Sequence, residues 1–202
     1  MRIYMGDLTH DTITISNEAF PLNVGYIASY LMKYHSVDLE IFKYSHDLIS
    51  KIEKNPPSIL ALSNYPWNSN LSLSLFRYAK NINKNILTVM GGPNMSYSSE
   101  EQRDFTYKHK DILDFYIMFE GEQPFKDLYE NFLDCELSIS KTKQRYIPGV
   151  IQHSSSGFQD YVKLDRRKNL DEIPSPYTSG LFDKFFDNKL TSMIETHRGC
   201  PY

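Results

Sequence analysis

Short apolar runs alternate with helix-like segments along the first two thirds of the chain. Runs without regular polar alternation are typical of strands buried on both faces of a parallel sheet, and apolar residues recurring every three or four positions indicate helices. Five strands are predicted, over residues 2–5, 37–42, 59–62, 86–90 and 112–119. Five helices are predicted to follow them, over residues 21–34, 47–54, 71–82, 99–109 and 124–133. The second strand differs, because its apolar residues alternate with Asp38, Glu40 and Lys43, as in an edge strand. The alternation predicts an α/β fold with a doubly wound five-stranded parallel sheet.

The fourth predicted strand carries the most informative segment, NILTVMGGPN at residues 85–94. Its apolar run ends abruptly in Gly91, Gly92 and Pro93. Two glycines allow a sharp turn and a close approach of another group to the main chain. Because ligands of open α/β sheets bind outside the carboxyl ends of the strands, this pair is a candidate floor for a ligand. A tight turn from strand to loop explains it equally well.

The pattern changes beyond Cys135. We expect a polar connection, a β-hairpin, an extended proline-containing segment and a last short strand, over residues 136–144, 146–164, 169–183 and 190–195. The predicted organisation is therefore an α/β domain, a linker with a hairpin and a short C-terminal piece, over residues 1–135, 136–189 and 190–202.

Composition narrows the class of protein. The chain has 202 residues and a formal charge of -3, which gives no electrostatic case for nucleic acid or an anionic membrane. It has no apolar run near the roughly 20 residues of a membrane span, and its N-terminus lacks an apolar signal core. Its two cysteines lie far apart and do not suggest a disulfide framework. We expect a cytoplasmic protein that binds neither nucleic acid nor membrane.

Several chemistries are disfavoured by missing motifs. The first strand is not followed by a dinucleotide-binding glycine motif, and the chain has no P-loop. Its 6 histidines are scattered without metal-binding spacing. Glu120 and Glu122 flank Gly121 at the end of the fifth strand, where they could bind ligand hydroxyls or amides. The first turn of the next helix would favour acids equally. No catalytic residue is assigned.

Taken together, the motifs resemble the N-terminal half of the cobalamin-binding radical S-adenosylmethionine (SAM) proteins. In that family a flavodoxin-like domain binds cobalamin at the carboxyl edge of its sheet, and a partial barrel with an iron–sulfur cluster follows. The matching pieces occur in the family's order: Ser63 ends strand three, Gly91-Gly92-Pro93 ends strand four, Glu120-Gly121-Glu122 ends strand five, LDEIPSPY at 170–177 resembles the linker, and IETHRGCPY at 194–202 resembles the start of the barrel.

The resemblance implies a role for each strand end. Ser63 would hydrogen-bond the nucleotide tail of cobalamin, although it could instead cap the next helix. The tail would pass close to the backbone of the glycine pair. On the corrin side, the contacts would come from Asn64, Tyr65 and Trp67. The tail or the corrin amides would be contacted by Glu120, Gly121 and Glu122. The loop of residues 7–23 would fold over the ring.

Cys200 corresponds to the first cysteine of the family's C-x-x-x-C-x-x-C motif, whose thiolates bind a [4Fe–4S] cluster that in turn binds SAM. A single thiolate does not hold such a cluster. The resemblance therefore implies a chain truncated at the start of the barrel, inactive alone. The cluster and SAM would belong to the full-length protein only, with the missing barrel as partner and a small molecule or peptide as substrate.

Two departures from the family pattern leave alternatives open. The D-x-H-x-x-G motif that supplies a histidine ligand to cobalt in other cobalamin proteins is absent, and Phe119 stands where the family usually has a glycine. The leading hypothesis is a cobalamin-binding domain of a radical SAM enzyme, with methyl transfer as the default reaction. The alternatives are a cofactor-free structural or docking domain of the same fold, and a flavodoxin-like domain for another ligand such as flavin mononucleotide. The missing phosphate loop after strand one argues against the flavin.

Overall fold

The computed structural model describes residues 1–11, 17–155 and 157–199. Its centre is a parallel sheet of five strands in the order β2-β1-β3-β4-β5, which confirms the predicted α/β class. These strands are β1 (Arg2–Thr9), β2 (Asp38–Tyr44), β3 (Ile59–Ser63), β4 (Leu87–Gly91) and β5 (Phe115–Ile117). The helices are α1 (Leu22–Tyr34), α2 (Ser45–Lys54), α3 (Ser69–Ile82), α4 (Ser99–Lys108), α5 (Glu122–Asp134) and the one-turn α6 (Ile139–Thr142).

The sheet is buried on both faces. Helices α1 and α5 pack on one face, and α2 and α3 pack on the other. Along β1, Ile3 and Met5 belong to the first layer of core, and Tyr4 belongs to the second. Successive residues of a strand face opposite layers of the core, so a strand buried on both faces is apolar at consecutive positions. This pattern made the strands recognisable in the sequence.

The predicted hairpin is part of the sheet, so the expectation of five strands is wrong. β6 (Val150–Ser154) runs antiparallel to β5, and β7 (Gly157–Gln159) runs antiparallel to β6. The result is a seven-stranded mixed sheet. The physical reason is that β5 would otherwise expose an unpaired edge, which folded proteins usually cover. Val150 and Ile151 are buried as a consequence, one in each layer of the core.

The C-terminal segment also differs from expectation. Within residues 190–195 the described part of the chain shows a single bridge, between Thr191 and Ala19, where the sequence predicts a strand. Leu190 packs against the core, but Met193 and Ile194 do not enter it, since they are 47% and 76% exposed. The expected extended segment 169–183 instead includes a 3-10 turn at Leu170–Glu172, and a second turn, Asp183–Phe185, begins at its end.

The topology opens a crevice between β1 and β3. These strands are neighbours, but the chain continues from β1 into α1 on one face and from β3 into α3 on the other. Such a divergence places a ligand site at the carboxyl ends of the strands. None of the helices in the described ranges is both long enough and apolar enough to cross a membrane.

Candidate functional site

A cavity of about 380 Å³ lies at the carboxyl ends of β1, β3, β4 and β5. Its walls are mostly apolar and come from both the sheet and the helices of one face. The side chains that form this apolar lining include Ile27, Ala61, Val89, Ile117 and Phe125. Ala61 is only partly buried although it sits in the middle of β3, because its small side chain faces the cavity. The shape and lining suit a largely apolar group with a few polar edges.

The glycine pair after β4 forms part of the cavity wall from main-chain atoms. Gly92 has a φ of 133°, and a Cβ atom there would stand 2.6 Å from the carbonyl oxygen of Asn64. At Gly91 a Cβ atom would stand 3.3 Å from the carbonyl oxygen of Ile117. The backbone N–H of Asn64 donates to the Gly91 carbonyl at 2.6 Å, and the Tyr116 hydroxyl donates to the Gly92 carbonyl at 2.7 Å. The turn is therefore fixed in place, and a ligand can approach its backbone closely.

Ser63 lines the cavity, but its hydroxyl is already engaged. It donates to Asp7 Oδ1 at 2.6 Å and accepts from Asn68 Nδ2 at 2.9 Å. The alternative of Ser63 as a helix cap is wrong, because α3 begins after Asn68. Asn68 is instead tied to the end of β1 by donating to Asp7 and to the carbonyl of Leu8.

Lys43 completes this polar cluster, and its position corrects the sequence pattern. The alternation of β2 assigned Lys43 to the polar side of an edge strand, yet its side chain is fully buried with Nζ 3.2 Å from Asp7 Oδ2. Burial lowers the pKa of Lys43, and the Asp7 carboxylate partly offsets this effect. Lys43 was not predicted to lie near the site, and Asp7 was predicted only as part of the loop of residues 7–23. Neither lines the cavity, and Asp7 contacts its wall through Ser63.

Asn64 and Tyr65 take different positions relative to the cavity. Asn64 is fully buried behind the wall, where its side chain donates to the Tyr116 hydroxyl at 2.9 Å. Tyr65 lines the cavity, accepts from Asn23 Nδ2 at 2.7 Å and stacks on Trp67 with ring centroids 4.5 Å apart. Burial, and secondarily the Asp7 carboxylate, raise the pKa of Tyr65. The stacked pair forms a flat aromatic surface beside the cavity.

Phe119 lies at the cavity rim in a left-handed backbone conformation, with φ of 58°. This conformation is unfavourable for residues other than glycine, which explains physically why a glycine would be expected at the position. The ring is 47% exposed and stacks on Tyr97 with centroids 5.8 Å apart. It contributes to the rim of the cavity without filling it.

The acids after β5 already have partners. Glu122 is buried at the start of α5, and Gly121 before it packs so tightly that a Cβ atom would stand 2.6 Å from Ile27 Cδ1. Glu122 Oε1 lies 2.9 Å from Arg198 Nη2, and Glu120 Oε2 lies 3.7 Å from Arg198 Nη1. Arg198 was missed as a site residue, because nothing local in the sequence pairs it with acids more than 70 positions away.

The structure brings most of the proposed contacts to one edge of the sheet. Asn64 lies buried behind the cavity wall. The other proposed contacts that line the cavity are Ser63, Tyr65, Gly91, Gly92, Pro93, Glu120, Gly121 and Glu122. Cys200, the expected cluster ligand, lies outside the described residues, as do residues 12–16 of the loop expected over the ring. Over residues 1–11, 17–155 and 157–199, no group of three or more His, Cys, Asp or Glu side chains is placed to hold a metal ion.

Comparison with known proteins gives a family match over most of the sheet. The sequence profile of the B12-binding domain family matches residues 9–129. This span begins at the end of β1 and includes every cavity-lining loop up to the first turns of α5.

Three relatives are methyltransferases by name. The chain is 28% identical over 190 residues to the uncharacterized methyltransferase PH0819 of Pyrococcus horikoshii, covering 90% of the chain and 39% of that protein. It is 30% identical over 155 residues to the 2-(S-pantetheinyl)-carbapenam-3-carboxylate methyltransferase of Streptantibioticus cattleyicolor, covering 72% and 21%. It is 29% identical over 152 residues to the cobalamin-dependent radical SAM methyltransferase TokK of Streptomyces tokunonensis, again covering 72% and 21%. The chain thus spans well under half the length of each.

Proposed function

The chain belongs to the B12-binding domain family, and on that premise we propose that the cavity at the edge of its sheet takes the nucleotide tail of a cobalamin. The observation that carries the proposal is the combination of an apolar slot with a floor of glycine main chain. A flat heteroaromatic base suits the apolar walls, since removing apolar surface from water is worth roughly 25 cal/mol per Å².

The residues present fit such a tail. A side chain at residue 92 would collide with the backbone of Asn64, so the floor stays free of side chains where the tail would pass. Ser63 already donates its hydroxyl proton to Asp7, so toward the tail its hydroxyl oxygen can act only as a hydrogen-bond acceptor. Tyr65 and its stacked partner Trp67 would lie on the corrin side. When bound, cobalamin supplies methyl-transfer chemistry at its cobalt; the chain's own residues bind and orient it.

We further propose that this domain serves a radical SAM methyltransferase. Support comes from the resemblance of residues 194–202 to a cluster-binding loop and from a relative named as a cobalamin-dependent radical SAM methyltransferase. In this proposal Cys200 is one ligand of a [4Fe–4S] cluster. The other ligands, the SAM site and the contacts to a small-molecule or peptide substrate belong to a radical SAM barrel that acts as the domain's partner.

The test is a titration of the purified chain with hydroxocobalamin, followed by gel filtration and an absorbance spectrum of the protein peak. We expect a stoichiometric corrin to co-elute. A parallel titration with flavin mononucleotide distinguishes the cobalamin site from a flavin site on the same fold. A folded chain that retains no corrin would contradict the proposal, and retention of the flavin alone would replace it.

A cavity-filling variant locates the binding site. Ala61→Leu places three additional carbon atoms in the slot from the middle of β3, and we expect the affinity for hydroxocobalamin to fall at least tenfold because the base can no longer enter. The matched control is Ser74→Leu, which adds a leucine at an exposed position of α3. Equal affinity of wild type and Ala61→Leu, with both chains folded by circular dichroism, would place the corrin elsewhere.

A further inference from the structure

Arg198 joins the far end of the described chain to the wall of the cavity. Its guanidinium contacts Glu195 through two hydrogen bonds of 2.9 and 3.0 Å and lies 2.9 Å from Glu122 and 3.7 Å from Glu120. The side chain is only 17% exposed. A second cavity, of about 690 Å³, shares Arg198 and residues 118–120 and 122 with the first, so the arginine stands where the two cavities meet.

The buried member of this cluster depends on the arginine. Glu122 has 5% of its side chain exposed, and a carboxylate at such a site is strongly destabilising without an ionic partner. In the described ranges, Arg198 is the only cation within salt-bridge distance of Glu122. Glu122 and Glu195 therefore share one guanidinium, which lies 2.9 Å from an oxygen of each carboxylate.

The segment that carries Arg198, residues 190–199, has other contacts in the described structure, beginning with Leu190, which packs partly buried against the core. Thr191 forms a backbone bridge to residues 18–20, and Met193 exchanges hydrogen bonds with the Tyr177 hydroxyl. Ile194, between these contacts and the arginine, is largely exposed. Near the end of the segment, Arg198 contacts the two acids of the cavity wall and lies 5.9 Å from the Tyr26 ring, and Gly199 lies against Arg166.

We propose that Arg198 is a positioning residue that couples the C-terminal segment, residues 190–199, to occupancy of the corrinoid cavity. The inference rests on the proposed function, because a corrinoid in the cavity contacts the connection of residues 118–122 that Arg198 holds. A ligand that orders this connection makes the ion pair between Glu122 and Arg198 more stable. By thermodynamic linkage, the ion pair raises the affinity for the ligand by the same factor.

The experiment measures both directions of the coupling. Hydrogen exchange read by mass spectrometry reports protection of residues 190–199 with and without hydroxocobalamin, and an absorbance titration reports affinity. We expect the corrin to slow exchange in this segment of the wild-type chain. In Arg198→Met we expect that slowing to disappear and affinity to fall about fivefold or more, the range typical of coupled sites. Arg198→Lys, which keeps the charge, should recover part of both effects.

Two further variants keep the result interpretable. Arg103→Met is the matched control, since it removes an exposed arginine of α4 whose nearest carboxylate is 3.9 Å away. Glu195→Gln keeps the buried Glu122 paired and weakens only the contact within the segment that orients the Arg198 side chain, so it serves if Arg198→Met does not fold. For Glu195→Gln we expect a smaller loss of corrin-dependent protection.

The outcomes separate the two proposals. A wild-type chain that binds no corrin overturns the proposed function and the coupling with it. A wild-type chain that binds corrin, with unchanged affinity and protection in the folded arginine or Glu195→Gln variants, overturns the coupling alone. Weaker binding that lysine does not rescue assigns Arg198 a purely structural role and also overturns it.

Discussion

Individual residues at the carboxyl edge of the sheet combine predictable and unpredictable features. The turn at Gly92 could be anticipated, because a glycine pair directly after a buried strand allows a sharp turn, whereas its place in the cavity wall was only one of two equal interpretations. The ion pair between Lys43 and Asp7 could not, because it joins side chains 36 positions apart and depends on the packing of β1 against β2. A lysine in an alternating strand looks solvent-exposed unless its buried partner is known.

Phe119 provides a prediction at the scale of one residue. Its left-handed backbone should cost about 1 kcal/mol or more in any residue with a Cβ atom. We therefore expect Phe119→Gly to unfold at higher urea concentration than Phe119→Ala, since both lose the ring but only alanine keeps the strain. At Tyr107, an exposed position within helix α4, the order should reverse, with alanine more stable than glycine by about 1 kcal/mol. The same order at both positions would show that Phe119 is not strained.

At the scale of elements, the sequence was most informative where a strand is buried on both faces. β3 and β4 were recognisable because their buried residues are apolar without regular polar alternation. These residues are Ile59, Leu60 and Leu62 in β3 and Leu87, Val89 and Met90 in β4. The pairing of β6 with β5 was not, because register between distant strands is decided by packing and leaves no local pattern. The C-terminal strand was wrongly predicted for a related reason: apolar residues such as Ile194 mark a strand only if something buries them.

The edge of the sheet opposite the cavity gives a prediction for the elements it joins. Asp114, before β5, is nearly fully buried and bridges Lys80 of α3 at 2.6 Å and Lys143 after α6 at 2.8 Å. We expect Asp114→Asn to lower the free energy of unfolding by about 3 kcal/mol at neutral pH, because two cations lose their shared carboxylate. The matched control is Asp104→Asn on α4, which is 73% exposed and should change stability by less than about 1 kcal/mol.

The same residue fixes the direction of a pH effect. Burial acts to raise the pKa of Asp114, but Lys143 and Lys80 outweigh it and hold the pKa below its ordinary value. The stabilisation is therefore present above the unfolded pKa, about 3.9, and is lost as the pH falls through the folded pKa. Urea unfolding at a series of pH values should show the gap between wild type and Asp114→Asn closing below about pH 4. A gap that stays constant would mean that the carboxylate charge is not the source of stability.

At the scale of the whole molecule, the sheet continues past the boundary expected at residue 135. Ile147, Val150 and Ile151 lie beyond that boundary, yet all three are at most 1% exposed in the core. Lys143, a partner of Asp114, also lies beyond it. The family match ends at residue 129, so neither the match nor the apolar pattern marks where the folded unit stops. The cavity depends on this, because β5 provides one of its walls and is held between β4 on one side and β6 on the other.

Truncation tests this extent of the folded unit. Full burial of each aliphatic side chain contributes roughly 1.5–3 kcal/mol, so removing Ile147, Val150 and Ile151 forfeits about 5–9 kcal/mol. That amount is comparable to the entire stability of a typical domain, about 5–15 kcal/mol. We therefore expect a chain ending at residue 135 to be unfolded or aggregated, and a chain ending at residue 189, which keeps β6, β7 and the buried Phe182 and Phe185, to remain cooperatively folded. Gel filtration and urea unfolding distinguish these states. A monomeric 1–135 chain with a midpoint near that of the 1–189 chain would show that the hairpin adds no stability to the sheet, and the cavity would then be stable with β5 as an edge strand.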